Sequence, residues 1–124
     1  MATGHIGIDS DHRGLVDVLN RLGAAIRDNR LDQINCHLND LIDKIIQHFE
    51  REENLMITSK YGDYDSHMTE HSRFFAYLTK AIYLQETGEG GIDGDFQAFI
   101  ADWLVKHEQE FDLRFVERLP HRCP

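Results

Sequence analysis

Residues 48–71 read HFEREENLMITSKYGDYDSHMTEH, and the spacing within this stretch decides the fold. His48 and Glu52 stand four apart, as do His67 and His71. Four residues advance a helix by about 400°, so each pair projects from nearly one face. Ile45 and Leu55 flank the first pair at core spacing, which puts these polar groups on an apolar stripe. Between the pairs, Tyr61-Gly62-Asp63 breaks the helical period. Glu52 and His67 are equidistant from a point between residues 59 and 60, beside that break. An antiparallel helix hairpin therefore brings them level. Imidazole and carboxylate on a core stripe must be satisfied, and a metal ion satisfies both together.

The same pattern extends outward in both directions. Apolar residues recur at helical spacing through Leu15, Leu19, Leu22 and Ile26, with Asp9 or Ser10 as N-cap, and through Ile34, Leu38, Leu41, Ile45, Phe49 and Met56. They recur again through Phe74, Phe75, Leu78 and Ile82, and through Phe96, Phe99, Ile100, Trp103 and Phe111. Further breaks fall at Asn29-Arg30 and in GEGGIDGD, residues 88–95. No strand-like alternation competes. The expected fold is all-α, an antiparallel up-down-up-down four-helix bundle. It is expected to form one domain over residues 1–124, with a short N-terminal arm (1–10) and a tail from about residue 119 to 124. His12 and His48 are centred on residue 30, His71 and His107 on residue 89, each inside a break. Three turns thus place polar residues from four helices at one height. A lone core histidine is ordinarily a hydrogen-bonded packing residue; six such groups on four converging helices point to a metal site.

Composition narrows the partners. The chain carries a net charge of −9 at 41% hydrophobic and 28% charged residues, which argues against a nucleic-acid backbone or an anionic membrane surface. No apolar run approaches the roughly 20 residues that span a bilayer. The start, MATGHIGIDSDH, lacks the basic region and apolar core of a secretion signal, so a cytoplasmic location is expected. Cys36 and Cys123 read as free thiols, Cys36 as a structural residue and Cys123 in a frayed tail. Eight histidines in so short an acidic chain again favour metal binding.

The segment WLVKHEQEFD, residues 103–112, poses the harder question. Asp112 stands five residues after His107, about 140° away on a regular helix. Either it is a solvated surface acid, which spacing alone favours, or a π-bulge turns it inward.

Four motifs carry a resemblance that bears on this choice. IDSDH around His12, HFEREENLM around His48 and Glu52, HMTEH with His67 and His71, and WLVKHEQEFD with His107 and Asp112 resemble the hemerythrin family, specifically its single-domain bacterial members. The likeness runs from about residue 8 to residue 116, and all seven ligand positions of the family are filled. It implies a non-haem di-iron centre with two iron ions per chain. His67, His71 and His107 would hold one iron, and His12 and His48 the other. Glu52 and Asp112 would bridge them beside a solvent-derived oxo or hydroxo group, so the resemblance turns Asp112 inward. O2, or another small diatomic, would bind at the five-coordinate iron held by His12 and His48. Five neutral imidazoles and two carboxylates offset two of the four positive charges of a diferrous pair, which suits reversible binding. Seven donors exceed the four that a structural zinc takes.

The resemblance implies an oxygen carrier, store or sensor rather than an enzyme; a protein partner is left open. Phe49, Trp103 and Leu104 match the apolar wall of the oxygen pocket, though ordinary core packing would serve as well. Glu108 departs from the family, which has isoleucine or a similar apolar residue after this histidine. It shares a helix face with Leu104. If it turns inward it becomes an extra ligand, an acid/base group or a hydrogen-bond partner, and a di-iron redox enzyme reducing peroxide or nitric oxide becomes the alternative function. If it turns outward it is a solvated acid. Gly62 stands where the family often has proline. Glu50, Glu53, Glu70 and Glu110 are expected on wet faces, His5 and His121 at the surface, His37 at the end of the bundle, and Tyr64 in the core or donating a hydrogen bond near the site.

Overall fold

A computed structural model describes residues 3–119. Pro120, His121, Cys123 and Pro124, with most of the expected tail, lie outside the described residues. The chain forms α1 (Ile6–Arg27), α2 (Leu31–Ser59), α3 (Tyr64–Glu86) and α4 (Gly94–His107). A single π-helical turn, Glu108–Asp112, continues α4 into the short α5 (Leu113–Glu117), so these three make the fourth rod of an antiparallel bundle. There is no strand among the described residues.

The turns fall at the three breaks, and their chemistry is local. Asn29 and Lys60 take the left-handed conformation, at φ 52° and 56°, where α1 and α2 end. Asp93 caps α4 by accepting from the Phe96 amide at 2.9 Å. The start of α1 corrects the expectation of an arm over residues 1–10. The helix begins at Ile6, and its N-cap is His5, whose Nδ1 accepts from the Ile8 amide at 3.1 Å. Asp9 and Ser10, the two expected caps, both lie inside the helix. The Asp9 carboxylate accepts from the Thr3 amide and hydroxyl and from the Gly4 amide, tying the preceding residues back onto the helix. His5 is therefore half-buried and structural. Cys36 corrects in the other direction: it is exposed on α2 and free.

Two apolar layers position the site. The larger is built from Leu15, Leu22, Leu41, Ile45, Phe49, Phe74, Leu78, Phe96, Ile100 and their neighbours. Truncating one of these, such as Ile45→Ala, is expected to cost about 2–5 kcal/mol. The smaller, at the other end, holds Ile8, Met56 and Phe115, with Tyr61 and Tyr64 packed against it. Gly23 lets α1 and α4 approach: a Cβ there would collide with the side chain of Gln97, which reaches across to donate to the Leu19 carbonyl at 3.4 Å.

Candidate metal centre

Between the two layers lies the polar part of the interior. The buried polar and charged residues among those described are His12, His48, Glu52, His67, His71, His107, Glu108 and Asp112. These are the seven residues anticipated as ligands, plus Glu108. Each rod supplies at least one: His12 from α1, His48 and Glu52 from α2, His67 and His71 from α3, and the remainder from α4 and the π-turn.

The donor atoms fall into two groups. One comprises Glu52, His67, His71 and His107, the other His12, His48 and Asp112, with the donor atoms in each lying within 4.8 Å of one another. Nε2 of His107 lies 3.2 Å from Nε2 of both His67 and His71. Asp112 spans the groups. Its Oδ2 is 2.9 Å from His12 and 3.5 Å from His48, and its Oδ1 is 2.9 Å from His107 and 3.1 Å from His67. Glu52 spans them too, with Oε1 3.1 Å from His48 Nε2 and 3.4 Å from His71 Nε2.

Asp112 reaches this position because the helix changes pitch. The Leu113 amide bonds to the Glu108 carbonyl, five residues back, so this turn takes in one extra residue and Asp112 comes round to the side of His107. Asp112 is 0% exposed and Glu110 is exposed. Glu108 is only 6% exposed, which excludes the solvated orientation. Its Oε1 lies 3.4 Å from Nδ1 of His12.

Two acids at the site escaped the sequence reading. Glu53, expected on a wet face, is half-buried and meets Nδ1 of His71 at 3.0 Å. Asp11 meets Nδ1 of His48 at 3.2 Å while accepting from Arg51 Nε at 2.7 Å. Their only sequence signal is adjacency to a ligand, because a helix neighbour is rotated by about 100° and so faces the next helix. Glu50 is exposed, and Glu70 is half-buried beside Arg73. His37 is half-buried on α2, away from the site, and Tyr64 packs in the smaller apolar layer.

Aromatic rings fix several of the imidazoles. Phe49 stacks on His71 at 3.7 Å between centroids, and Trp103 stacks on His107 at 4.5 Å. Phe111 covers His107 at 5.4 Å. Phe49 and Trp103, anticipated as a pocket wall, thus pack against rings of the three-histidine group. Leu104 is buried in the larger apolar layer, one turn before Glu108.

The acids and imidazoles of the site shift one another's protonation. Burial opposes charge on every group, yet contacts reverse it. Against burial, a hydrogen bond to Asp11 and the close carboxylates of Asp112 and Glu52 push His48 up to about 12. Against burial, Asp112 and Glu52 raise His107 to about 9. Burial would raise both acids, and repulsion from Asp112 would raise Glu52 further, but the surrounding histidines, and for Asp112 the contact with Glu52, hold both well below the carboxylate range. For Glu108 burial wins, and its carboxyl is raised. The donor set also leaves buried atoms unpartnered: His48 Nε2, both oxygens of Glu52 and Asp112 Oδ1 have no good hydrogen bond. These unpartnered atoms, among the converging nitrogens of five imidazoles and the oxygens of two carboxylates, fit two bound cations.

The family model for the hemerythrin HHE cation-binding domain matches residues 4–119. The chain belongs to the hemerythrin family. A bacteriohemerythrin of Methylococcus capsulatus is 29% identical over 104 residues, covering 84% of this chain and 79% of that protein. A hemerythrin of Sipunculus nudus is 30% identical over 108 residues, covering 87% and 79%. Among solved structures, a wild-type hemerythrin superposes with a TM-score of 0.85 at 27% identity, covering 90% of this chain and 85% of the other. The hemerythrin fold thus accounts for the bundle.

Proposed function

We propose that this hemerythrin-family chain is a single domain that holds two iron ions and binds O2 reversibly. Its ligands are His67, His71 and His107 on one position, His12 and His48 on the other, and Glu52 and Asp112 across both. The observation that carries the reading is the pair of buried carboxylates that each touch histidines of both groups. When bound, the iron pair supplies the electrons that O2 accepts and returns.

The chain's own residues do the rest. The stacked Phe49, Trp103 and Phe111 hold the rings of His71 and His107 in place. The two apolar layers above and below exclude bulk water, which protects a reversible reaction from hydrolysis and proton leakage. Two carboxylates rather than four or more keep the site short of negative charge, which disfavours high oxidation states. A redox enzyme reducing peroxide or nitric oxide is the second reading. It is favoured by one observation, the burial of the carboxylate Glu108 beside His12.

Anaerobic reconstitution with ferrous iron tests both. The carrier reading expects two irons per chain and an absorption change that appears with O2 and reverses on degassing. An irreversible change, slowed in Glu108→Ile, supports the enzyme instead. Uptake of fewer than two irons overturns both readings. No helix among the described residues is long and apolar enough to cross a membrane.

A further inference from the structure

Each of the five histidines turns Nε2 toward the centre, so the five Nδ1 atoms form an outer ring. Partners are distributed unevenly around that ring. Nδ1 of His48 meets Asp11, and Nδ1 of His71 meets Glu53. Nδ1 of His67 and of His107 is buried without a partner. Nδ1 of His12 also lacks a bond of good geometry, but Oε1 of Glu108 stands 3.4 Å away. That gap exceeds a strong N–H···O bond by a few tenths of an ångström, roughly what a side-chain rotation closes.

Both partners need the contact. His12 is 4% exposed, so its outer N–H has no route to water. A carboxylate buried as deeply as Glu108 is rare unless paired. The inner edge of His12 is already taken, since Asp112 Oδ2 lies 2.9 Å from its Nε2. Glu108 approaches the opposite edge of the ring, away from the converging donors.

We propose that Glu108 is a positioning residue that accepts the Nδ1 proton of His12 and so holds Nε2 as the metal-binding nitrogen, rather than being a metal ligand itself. The proposal rests on the two-metal reading above. It makes the positions unequal: both histidines of the His12–His48 position are backed by carboxylates, against one of three in the other. A carboxylate on the outer nitrogen fixes the tautomer and raises the basicity of the inner one, and loss of such a partner typically costs about 10–100-fold in metal affinity.

Cobalt(II) titration of the metal-free full chain tests this, with visible absorption reporting coordination and calorimetry reporting each step. Glu108→Ile, which removes the acceptor, is expected to weaken one of two binding steps by about 10–100-fold and leave the other unchanged. Glu108→Gln, whose amide oxygen still accepts from Nδ1, falls between wild type and Glu108→Ile. Asp11→Asn weakens the same step, and Glu53→Gln weakens the other. The cobalt spectrum at saturation stays that of wild type, because no donor is lost. The thermal midpoint of metal-free Glu108→Ile falls, because the outer N–H of His12 is left buried without an acceptor, so the reading rests on an affinity loss confined to one binding step; a purely structural role would weaken both steps together.

A saturated spectrum that changes in Glu108→Gln makes Glu108 a ligand and overturns the inference. So does an unchanged titration, or a loss on the step that Glu53→Gln affects. A wild-type chain taking up fewer than two cobalt ions overturns the two-metal reading and this inference with it. Two ions in wild type with an identical Glu108→Ile titration overturns this inference alone.

Discussion

Asp112→Ala should destabilise the metal-free protein more than any other single truncation at the site. The Asp112 carboxylate lies within 3.5 Å of four histidines, two of them at 2.9 Å. Charge-assisted hydrogen bonds each contribute about 1.5–3 kcal/mol, but they are not additive here, because the histidines share one carboxylate and can lose protons. The better guide is the cost of removing one partner from a buried ion pair, about 3–5 kcal/mol. One effect lowers it: Asp112 repels Glu52, and its removal relieves that repulsion. We therefore expect the lower end, about 3 kcal/mol. For a chain of this length that corresponds to a fall of about 10–15 °C in thermal midpoint. Urea unfolding of metal-free wild type, Asp112→Ala and the exposed control Glu110→Gln, followed by circular dichroism, measures it. A loss below about 1 kcal/mol in Asp112→Ala would refute the burial of this acid against the histidines. A comparable loss in Glu110→Gln would refute the π-turn that separates the two acids.

Stability of the metal-free protein should depend on pH from both sides. His48 and His107 are raised above the ordinary 6.5, so their contribution is complete below 6.5 and lost as pH rises through about 9 for His107 and on toward about 12 for His48. Glu52 and Asp112 are lowered, so theirs is complete above the ordinary 4.5 and 3.8 and lost as pH falls below those values. Denaturation across the range should give a maximum between 4.5 and 6.5. Metal affinity should instead increase with pH toward about 9, with protons released on binding, which calorimetry in buffers of different ionisation enthalpy detects. Metal loading should raise the unfolding free energy, by about 4 kcal/mol at free metal roughly a thousandfold above its dissociation constant, and a chelator should reverse it. Asp93→Ala removes the cap of α4 and should cost about 1 kcal/mol without changing metal stoichiometry, measured by urea unfolding and metal analysis.

The bundle was legible because its two signals agree. Apolar periodicity sets the helices, and the midpoints of the histidine pairs fall in the breaks, so hairpin geometry follows from counting. The six polar residues other than Asp112 were legible by the same counting, since each sits on a core stripe. What counting cannot supply is any feature that depends on a departure from 3.6 residues per turn or on how helices rotate against one another. Asp112 belongs to the first kind: regular spacing sends it outward, and only the family resemblance argued otherwise. Asp11 and Glu53 belong to the second. Each flanks a ligand by one position, where a residue faces either water or the adjacent helix depending on packing. The cap of α1 failed for a local reason, because His5 satisfies the Ile8 amide and frees Asp9 to bind residues before it.

The π-turn links these departures. A residue added to a helix without a change of pitch would rotate everything beyond it by about 100°. Here one five-residue turn absorbs the addition, so Phe115 still reaches the smaller apolar layer while the turn presents two carboxylates inward. Those two acids reach opposite edges of one ring: Asp112 lies 2.9 Å from Nε2 of His12, and Glu108 lies 3.4 Å from its Nδ1. On a regular helix Asp112 would lie about 140° from His107, so the π-turn is what lets Asp112 touch His107 and His12 together while Glu108 faces the other edge of His12. The distortion therefore has a chemical consequence beyond admitting a bridging acid. It lets α4 and its continuation control the imidazole of α1 from both sides. A substitution at residue 108 then alters how His12 donates, without adding or removing a donor.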